Sequence, residues 1–275
     1  MIPSNDELLN VLKTIVLAGG LCLNVFRGKV ENIPKKSDLP PDKVQVSSTA
    51  HTKLDDLGQE LGLEILRSHF PDVSINVEEN TGRNRLFSKN KTGLCFHFDP
   101  LDGTYAYTKG RDDFAIGAAF SHNLEFIASS IYFPALDRLY LAARGKGVQI
   151  QNSLGQKIAF HRPEKPAAMF LQKRCENLLP IVHKMDLEEL NLMSAHHAVV
   201  AIVEGRAQVQ MYHMASPHDF GIPQVLLEEA GGVCSDIKGG PIQYDTDFSR
   251  LPYFLSFFDS KTKKEFFEIL NKINP

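Results

Sequence analysis

Four short apolar runs, FAIGAAF, FIASSIYF, RLYLAA and VQIQN, follow one another between Phe114 and about Ile158, separated only by short polar or glycine-bearing turns. Connections this short join antiparallel neighbours, because a parallel pair needs a crossover of a dozen or more residues. The region is therefore predicted to be a meander. On either side the pattern changes. Upstream lie helices and isolated strands; downstream, strands and helices alternate. The chain thus reads as α/β (α+β), with a change of pattern near residue 155 that divides it into segments 1–155 and 156–275.

The upstream helices carry local signals. SNDE at Ser4 to Glu7 is a capping-box start, and Leu8, Leu12, Ile15 and Val16 recur at helical spacing. Leu54, Leu57, Leu61 and Ile65 predict a second apolar stripe, stopped by Pro71. Between these helices, residues 28–52 are polar and proline-bearing, too irregular for core and long enough to be mobile. VSINVEEN alternates and delivers Glu78 and Glu79 at a strand end; GLCFHF is a strand that delivers Asp99. Downstream, MFLQK, AQVQMY and YFLSFF read as strands. SAHHAVVAIVEG is a helix closed by Gly205, DFGIPQVLLEEAGG a helix from Asp219 with a Gly–Gly stop, and KTKKEFFEILNKI a terminal helix. GKG at 145–147 lacks the third glycine of a dinucleotide loop and is a hairpin turn.

Composition narrows the partners. With 43% apolar and 23% charged residues the 275-residue chain is that of an ordinary globular protein. A net charge of −3 gives no electrostatic case for nucleic acid or an anionic membrane. The basic pairs Lys35–Lys36 and Lys263–Lys264 are expected on solvated faces. Cys22, Cys95, Cys175 and Cys234 lie far apart, without metal-ligand spacing, which fits a reducing compartment. Lys13 interrupts the apolar N-terminal stretch and no basic segment precedes it, so neither a signal peptide nor a span is expected. The expected location is the cytoplasm.

The sequence becomes specific at CFHFDPLDGTYAYTKG, residues 95–110. An apolar strand ends in two carboxylates, Asp99 and Asp102. Taken singly, Asp219 suits a helix cap, Glu78 and Glu79 a solvated strand end, and the two aspartates a turn around Pro100. Together the two aspartates require raised pKa values or a cation between them. Carboxylate oxygens without nearby His or Cys suit magnesium. Gly103 then lets the backbone approach a bound group, a helix start there suits phosphate, and Thr104 adds a hydroxyl. Phosphatases with an aspartyl nucleophile place their paired acids two residues apart, whereas Asp99-Pro-Leu-Asp102 places them three apart.

DPLDGT at 99–104 resembles the first signature of the inositol monophosphatase superfamily, which includes 3′(2′),5′-bisphosphate nucleotidases and fructose-1,6-bisphosphatases. TKLDD at 52–56, VEEN at 77–80 and HDFGIPQVLLEEAGGVCSDIKGGPI from His218 resemble three further family segments, in family order. The resemblance implies a layered αβαβα sandwich of two packed subdomains and a homodimer. It implies a magnesium-dependent, lithium-sensitive phosphatase with two Mg²⁺, and a third more weakly held. Glu78, Asp99 and the Leu101 carbonyl would hold the first ion, and Asp99, Asp102 and Asp219 the second. Glu78 or Glu79 would reach the third through water. Gly103 and Thr104 amides would receive the phosphate, with His218, Tyr212 and Ala195 along the substrate. Asp55 and Thr104, with Glu78, would orient and deprotonate a water activated by the metals.

Departures from the pattern bear on the substrate. His218 replaces the usual tryptophan, in a chain that has no Trp. It touches substrate or water, or packs where the indole would be. Gly221-Ile222-Pro223 replaces Ala-Ala-Gly, and Tyr212 falls where inositol phosphatases carry a glutamate. DPLDGTYAYTKG and MASP lean towards the nucleotidase branch, although Tyr105 stands where that branch has lysine. Inositol phosphate, adenosine bisphosphate and sugar bisphosphate all remain open. The altered His218–Pro223 segment also leaves a non-catalytic regulator that binds a phosphate ligand as an alternative. His196 and His197 are expected in core or surface rather than as ligands, and Asp112–Asp113 as a solvated turn.

Overall fold

The computed structural model describes residues 2–35, 49–88 and 92–273. Residues 36–48 of the polar stretch, Lys36 among them, lie outside the described residues. Helix α1 (Asn5–Phe26) starts at the Ser4 cap, whose hydroxyl accepts from Glu7 N, and α2 (Lys53–His69) starts at Thr52. Strands β1 (Ser74–Val77), β2 (Leu94–Asp102), β3 (Ala115–His122), β4 (Glu125–Phe133), β5 (Arg138–Ala143), β6 (Val148–Gln151) and β7 (Lys157–Ile158) form one sheet in chain order. Only β1 and β2 pair parallel in it; the rest is the expected antiparallel meander. The one-turn helix α3 (Thr104–Thr108) follows β2 directly.

The second sheet has the order β11-β12-β10-β8-β9. Its strands are β8 (Met169–Lys173), β9 (Glu188–Glu189), β10 (Val209–Ala215), β11 (Val233–Ser235) and β12 (Leu251–Phe257). Helix α4 (Leu179–Lys184) joins β8 to β9, and α5 (Ala195–Val203) precedes β10. Helices α6 (Pro217–Glu229) and α7 (Ser260–Ile273) complete the chain. The two-residue β9, three-residue β11 and α4 are too short to carry a readable period and were not anticipated from the sequence.

Strand alternation assigns the layers. On β2, Phe96 and Phe98 join Leu8, Leu12 and Ile15 of α1 and Leu63 and Leu66 of α2 in one apolar cluster. The opposite face, with Cys95, Ala119 and Phe126, packs on Val199 and Ile202 of α5 and Ile222 and Leu226 of α6. Those helices also cover Tyr212 and Phe254 of the second sheet, whose other face packs Met211, Leu255 and Phe257 on Ile181 of α4 and Phe266 of α7. The order is helices, sheet, helices, sheet, helices: an αβαβα sandwich.

Several local readings are corrected. The stripe on α2 is displaced: Leu57 is 48% exposed, while Leu54, Gly58, Gly62, Leu63 and Leu66 face inward. The cause is close approach. A Cβ at Gly62 would stand 2.6 Å from the Phe98 ring, and one at Gly58 3.1 Å from Pro100 Cβ. The period is helical, but its buried face is centred on glycines that carry no hydropathy signal. Helix α6 begins at Pro217, two residues before Asp219, and runs through Pro223. Helix α1 is long and apolar enough to cross a membrane by length and composition. In the fold, Leu8, Val11, Leu12, Ile15, Val16 and Leu23 are buried in the outer helix layer.

The displaced stripe yields a stability contrast. Gly62→Leu is expected to lose about 1–3 kcal/mol in denaturant unfolding through overpacking against Phe98. Leu57→Ala should stay within roughly 0.5 kcal/mol of the parent; equal costs would show that the stripe is wrongly placed.

Candidate active site

Residues three apart on a regular strand point to opposite faces. The register of β2 against β3 answers this for Asp99 and Asp102. Asp99 pairs with Gly117 and Asp102 with Ala115, so three steps on β2 match two on β3. One extra residue bulges out, at Pro100-Leu101, where the missing proline N–H disrupts no regular ladder. The bulge brings both acids to the same end of the strand. Parallel pairing of Val77 with Phe98 sets Glu78 beside Asp99, and Glu78 N donates to Phe98 O at 3.1 Å. Burial first, then the charges of Glu78, Asp102 and Asp219, push the Asp99 carboxyl well above its ordinary value.

After Asp102 the chain turns at once into α3. Gly103 has φ +82°, and a Cβ there would lie 2.8 Å from the Asp113 carbonyl. Thr104 follows, its hydroxyl 2.9 Å from Asp55 Oδ1 and 2.8 Å from Leu101 O. Its single proton serves one acceptor at a time. Asp55 is the third helical residue of α2 and is fully buried. Its Oδ2 accepts from both Thr52 N and Thr52 Oγ1 at 2.7 Å, closing a capping box. Burial, then the Glu78 charge, raises the Asp55 carboxyl to about 6, against the lowering effect of the Thr52 and Thr104 hydrogen bonds.

Glu78 and Glu79 are not merely a solvated strand end. Lys35 bridges them, with Nζ at 2.9 Å from Glu78 Oε1 and 2.6 Å from Glu79 Oε1. Lys35 was expected on a solvated face; the local sequence gives no hint that it folds back onto acids more than forty residues away. Burial would raise Glu78, but Lys35 and then His218 outweigh it and bring Glu78 down to about 2. Glu79 is buried, with its backbone N–H donated to Gln59 Oε1 at 2.8 Å and His51 Nδ1 3.4 Å from its carboxylate. His51, Asp55 and Glu79 thus form one group of potential ligand atoms, and Asp99, Asp102 and His196 another.

Asp102 reaches across to the other half of the sandwich. Its Oδ1 accepts from Ala195 N at 2.9 Å; its Oδ2 accepts from His196 N at 2.9 Å and from the Ser194 hydroxyl. The carboxylate therefore satisfies the first amides of α5, a favourable site for negative charge. Ala195 lines the cavity, but its N–H is held by Asp102. His196 is buried as expected, yet lies against the site: Nε2 is 3.0 Å from His218 O and Nδ1 3.6 Å from Asp102 Oδ2. Ser194 and His196 were missed because Asp102 lies some ninety residues away in sequence. Asp113 is also corrected. Asp112 is an exposed partner of Arg27, but Asp113 is buried, clamped by Arg111 Nε at 2.6 Å and accepting from Met193 N at 2.8 Å.

From the first turn of α6, Asp219 faces the same cavity of about 410 Å³ as Glu78, Asp99, Asp102, Gly103 and Thr104. The substitutions from His218 to Pro223 leave that helix continuous, with Gly221 admitting the Phe126 ring, 2.2 Å from a would-be Cβ. Burial raises Asp219 and His218 opposes the shift. His218 and Tyr212 both line the cavity. The lining also includes Lys173, Arg174 and Arg250, none foreseen from sequence.

The donor set suits a divalent cation. Four carboxylates converge on one cavity, and the charge of each raises or is raised by another. An ammonium already bridges two neighbouring acids. Asp102 has three of about four lone-pair sites engaged and one left. All the donors are hard oxygens, apart from the adjoining His196 and His51.

A family model for the inositol monophosphatase family matches residues 4–252. A histidinol-phosphatase of Chlorobaculum parvum is 28% identical over 232 residues, 81% of this chain and 82% of that protein. A fructose-1,6-bisphosphatase/inositol-1-monophosphatase of Aquifex aeolicus is 29% identical over 236 residues, 82% of this chain and 84% of that one. The fold is that of an IMPase of Thermotoga maritima, with a TM-score of 0.73 at 22% identity over 95% of this chain and 97% of the other. With the metal-suited acids and the matched segment in register, this chain belongs to the inositol monophosphatase family.

Proposed function

We propose that the protein is a magnesium-dependent, lithium-sensitive phosphomonoesterase that hydrolyses a small phosphorylated polyol or nucleotide. The observation that carries this reading is the Thr104–Asp55 hydrogen bond of 2.9 Å, standing beside four carboxylates that share one cavity. The relatives named histidinol-phosphatase and fructose-1,6-bisphosphatase/inositol-1-monophosphatase support ester hydrolysis as the reaction class.

In this reading Glu78, Asp99, Asp102, Asp219 and the Leu101 carbonyl hold Mg²⁺. When bound, Mg²⁺ supplies a lowered pKa for water and neutralises charge on the phosphoryl oxygens. Thr104 Oγ1 accepts a proton from the attacking water and passes its own to Asp55 Oδ1. Asp55 is charged above about pH 6, so it is ready to take that proton at neutral pH. The backbone amides of Gly103 and Thr104 orient the phosphate, and its leaving oxygen faces Ala195, Tyr212 and His218, which line the same cavity.

Phosphate release from inositol 1-phosphate, adenosine 3′,5′-bisphosphate, fructose 1,6-bisphosphate and histidinol phosphate tests the reading. Release is expected from at least one ester with Mg²⁺ and not after chelation; inertness toward all would overturn it. Thr104→Ala and Asp55→Asn should each lower kcat by about 10²–10⁴-fold. The acid limb of kcat/KM should fall at or below about pH 6, where Asp55 protonates.

Stability gives an independent readout. Asp99 binds its proton more tightly folded than unfolded, so its contribution to stability is lost as pH rises above the unfolded value. Metal-free Asp99→Asn should therefore melt higher than the parent at pH 7, with the difference shrinking toward pH 4. Added Mg²⁺ should raise the Tm of the parent more than that of the variant. A variant that melts lower than the parent throughout would show that the acids do not repel one another.

A further inference from the structure

The cavity is lined by charged groups of both signs. Every carboxylate that lines it, Glu78, Asp99, Asp102 and Asp219, belongs to the metal-suited group. The same cavity is lined by Lys173, Arg174 and Arg250. Lys173 ends β8 and pairs in register with Tyr212 of β10, its ammonium 5.3 Å from the centre of that ring. Arg250 immediately precedes β12, whose first residue pairs with Ala215 at the end of β10. Adjacent strand ends thus gather the three cations.

Lys173 hydrogen-bonds Tyr212 and feels the charges of Asp219 and Asp102. Lys35 is the cation that pairs with Glu78 and Glu79. Among the described residues no acid forms an ion pair with Lys173, Arg174 or Arg250. Arg174 moreover holds a left-handed backbone, φ +58°, which arginine adopts rarely. Two guanidiniums and an ammonium offer more donors than a neutral polyol uses, and they would repel a cationic amine.

Resting on the phosphatase reading, we propose that the substrate carries a second phosphate on its leaving-group side, held by Lys173, Arg174 and Arg250 while the first is hydrolysed. The preferred substrate class is then a small bisphosphate. Binding of the second group is a charge interaction in a partly open cavity, so it weakens with ionic strength.

The test compares kcat/KM for matched esters with Mg²⁺ present: adenosine 3′,5′-bisphosphate against adenosine 3′-monophosphate, and fructose 1,6-bisphosphate against fructose 1-phosphate. 2-Phosphoglycerate against glycerol 2-phosphate is the carboxylate arm. A preference of at least tenfold is expected for a bisphosphate, mostly in KM. The Arg174→Ala/Arg250→Ala double variant should reduce it at least fivefold; Arg250→Ala alone, at an exposed position, should reduce it in the same direction. Monophosphates turned over as well as bisphosphates, or a preference unmoved by both variants, overturn the inference and leave the phosphatase reading standing. A preference confined to the carboxylate arm overturns the assignment to phosphate. No release from any ester overturns both.

Discussion

The site depends on one extra residue in β2. Without the bulge between Asp99 and Asp102, the two carboxylates would face opposite sides of the sheet. With it, an end-of-strand position collects acids from the neighbouring β1, from α6 and from its own chain. The bulge is in turn fixed from outside: Gly58 of α2 lies against Pro100, and Leu101 N donates to Asp99 Oδ1 at 3.0 Å. Close helix packing and the placement of charge are the same structural fact seen from two sides.

Charge then has to be tolerated. Asp99, Asp55 and Asp219 are all raised chiefly by burial, whereas Glu78 is lowered because Lys35 stands against it. The shift on Asp55, from 3.8 to about 6, corresponds to roughly 3 kcal/mol held against ionisation in the absence of other cations. Such strain is tolerable in a sandwich with three apolar clusters. It is concentrated where strand ends and helix starts meet, the usual place for ligands in open α/β sheets.

How much was legible follows from how local each signal is. The meander, the Ser4 cap and the acids of DPLDGT depend on neighbours in sequence, and the structure places them as read. The buried face of α2 was misplaced because Gly58 and Gly62 contribute contact without hydropathy. Lys35, Ser194, His196 and the cations Lys173, Arg174 and Arg250 were silent, since each acquires meaning only from partners distant along the chain. Asp113 was misread for the same reason: its partner Met193 is eighty residues away.

Asp55 has two employments on its two oxygens. One accepts from Thr104; the other caps α2 through Thr52 N and Thr52 Oγ1. Rotating the carboxylate away from Thr104 would break the reciprocal half of the capping box on a seventeen-residue helix. A hydrogen-bond acceptor tied down in this way has little freedom left to reorient. Its orientation is settled when the helix forms, long before any ester arrives.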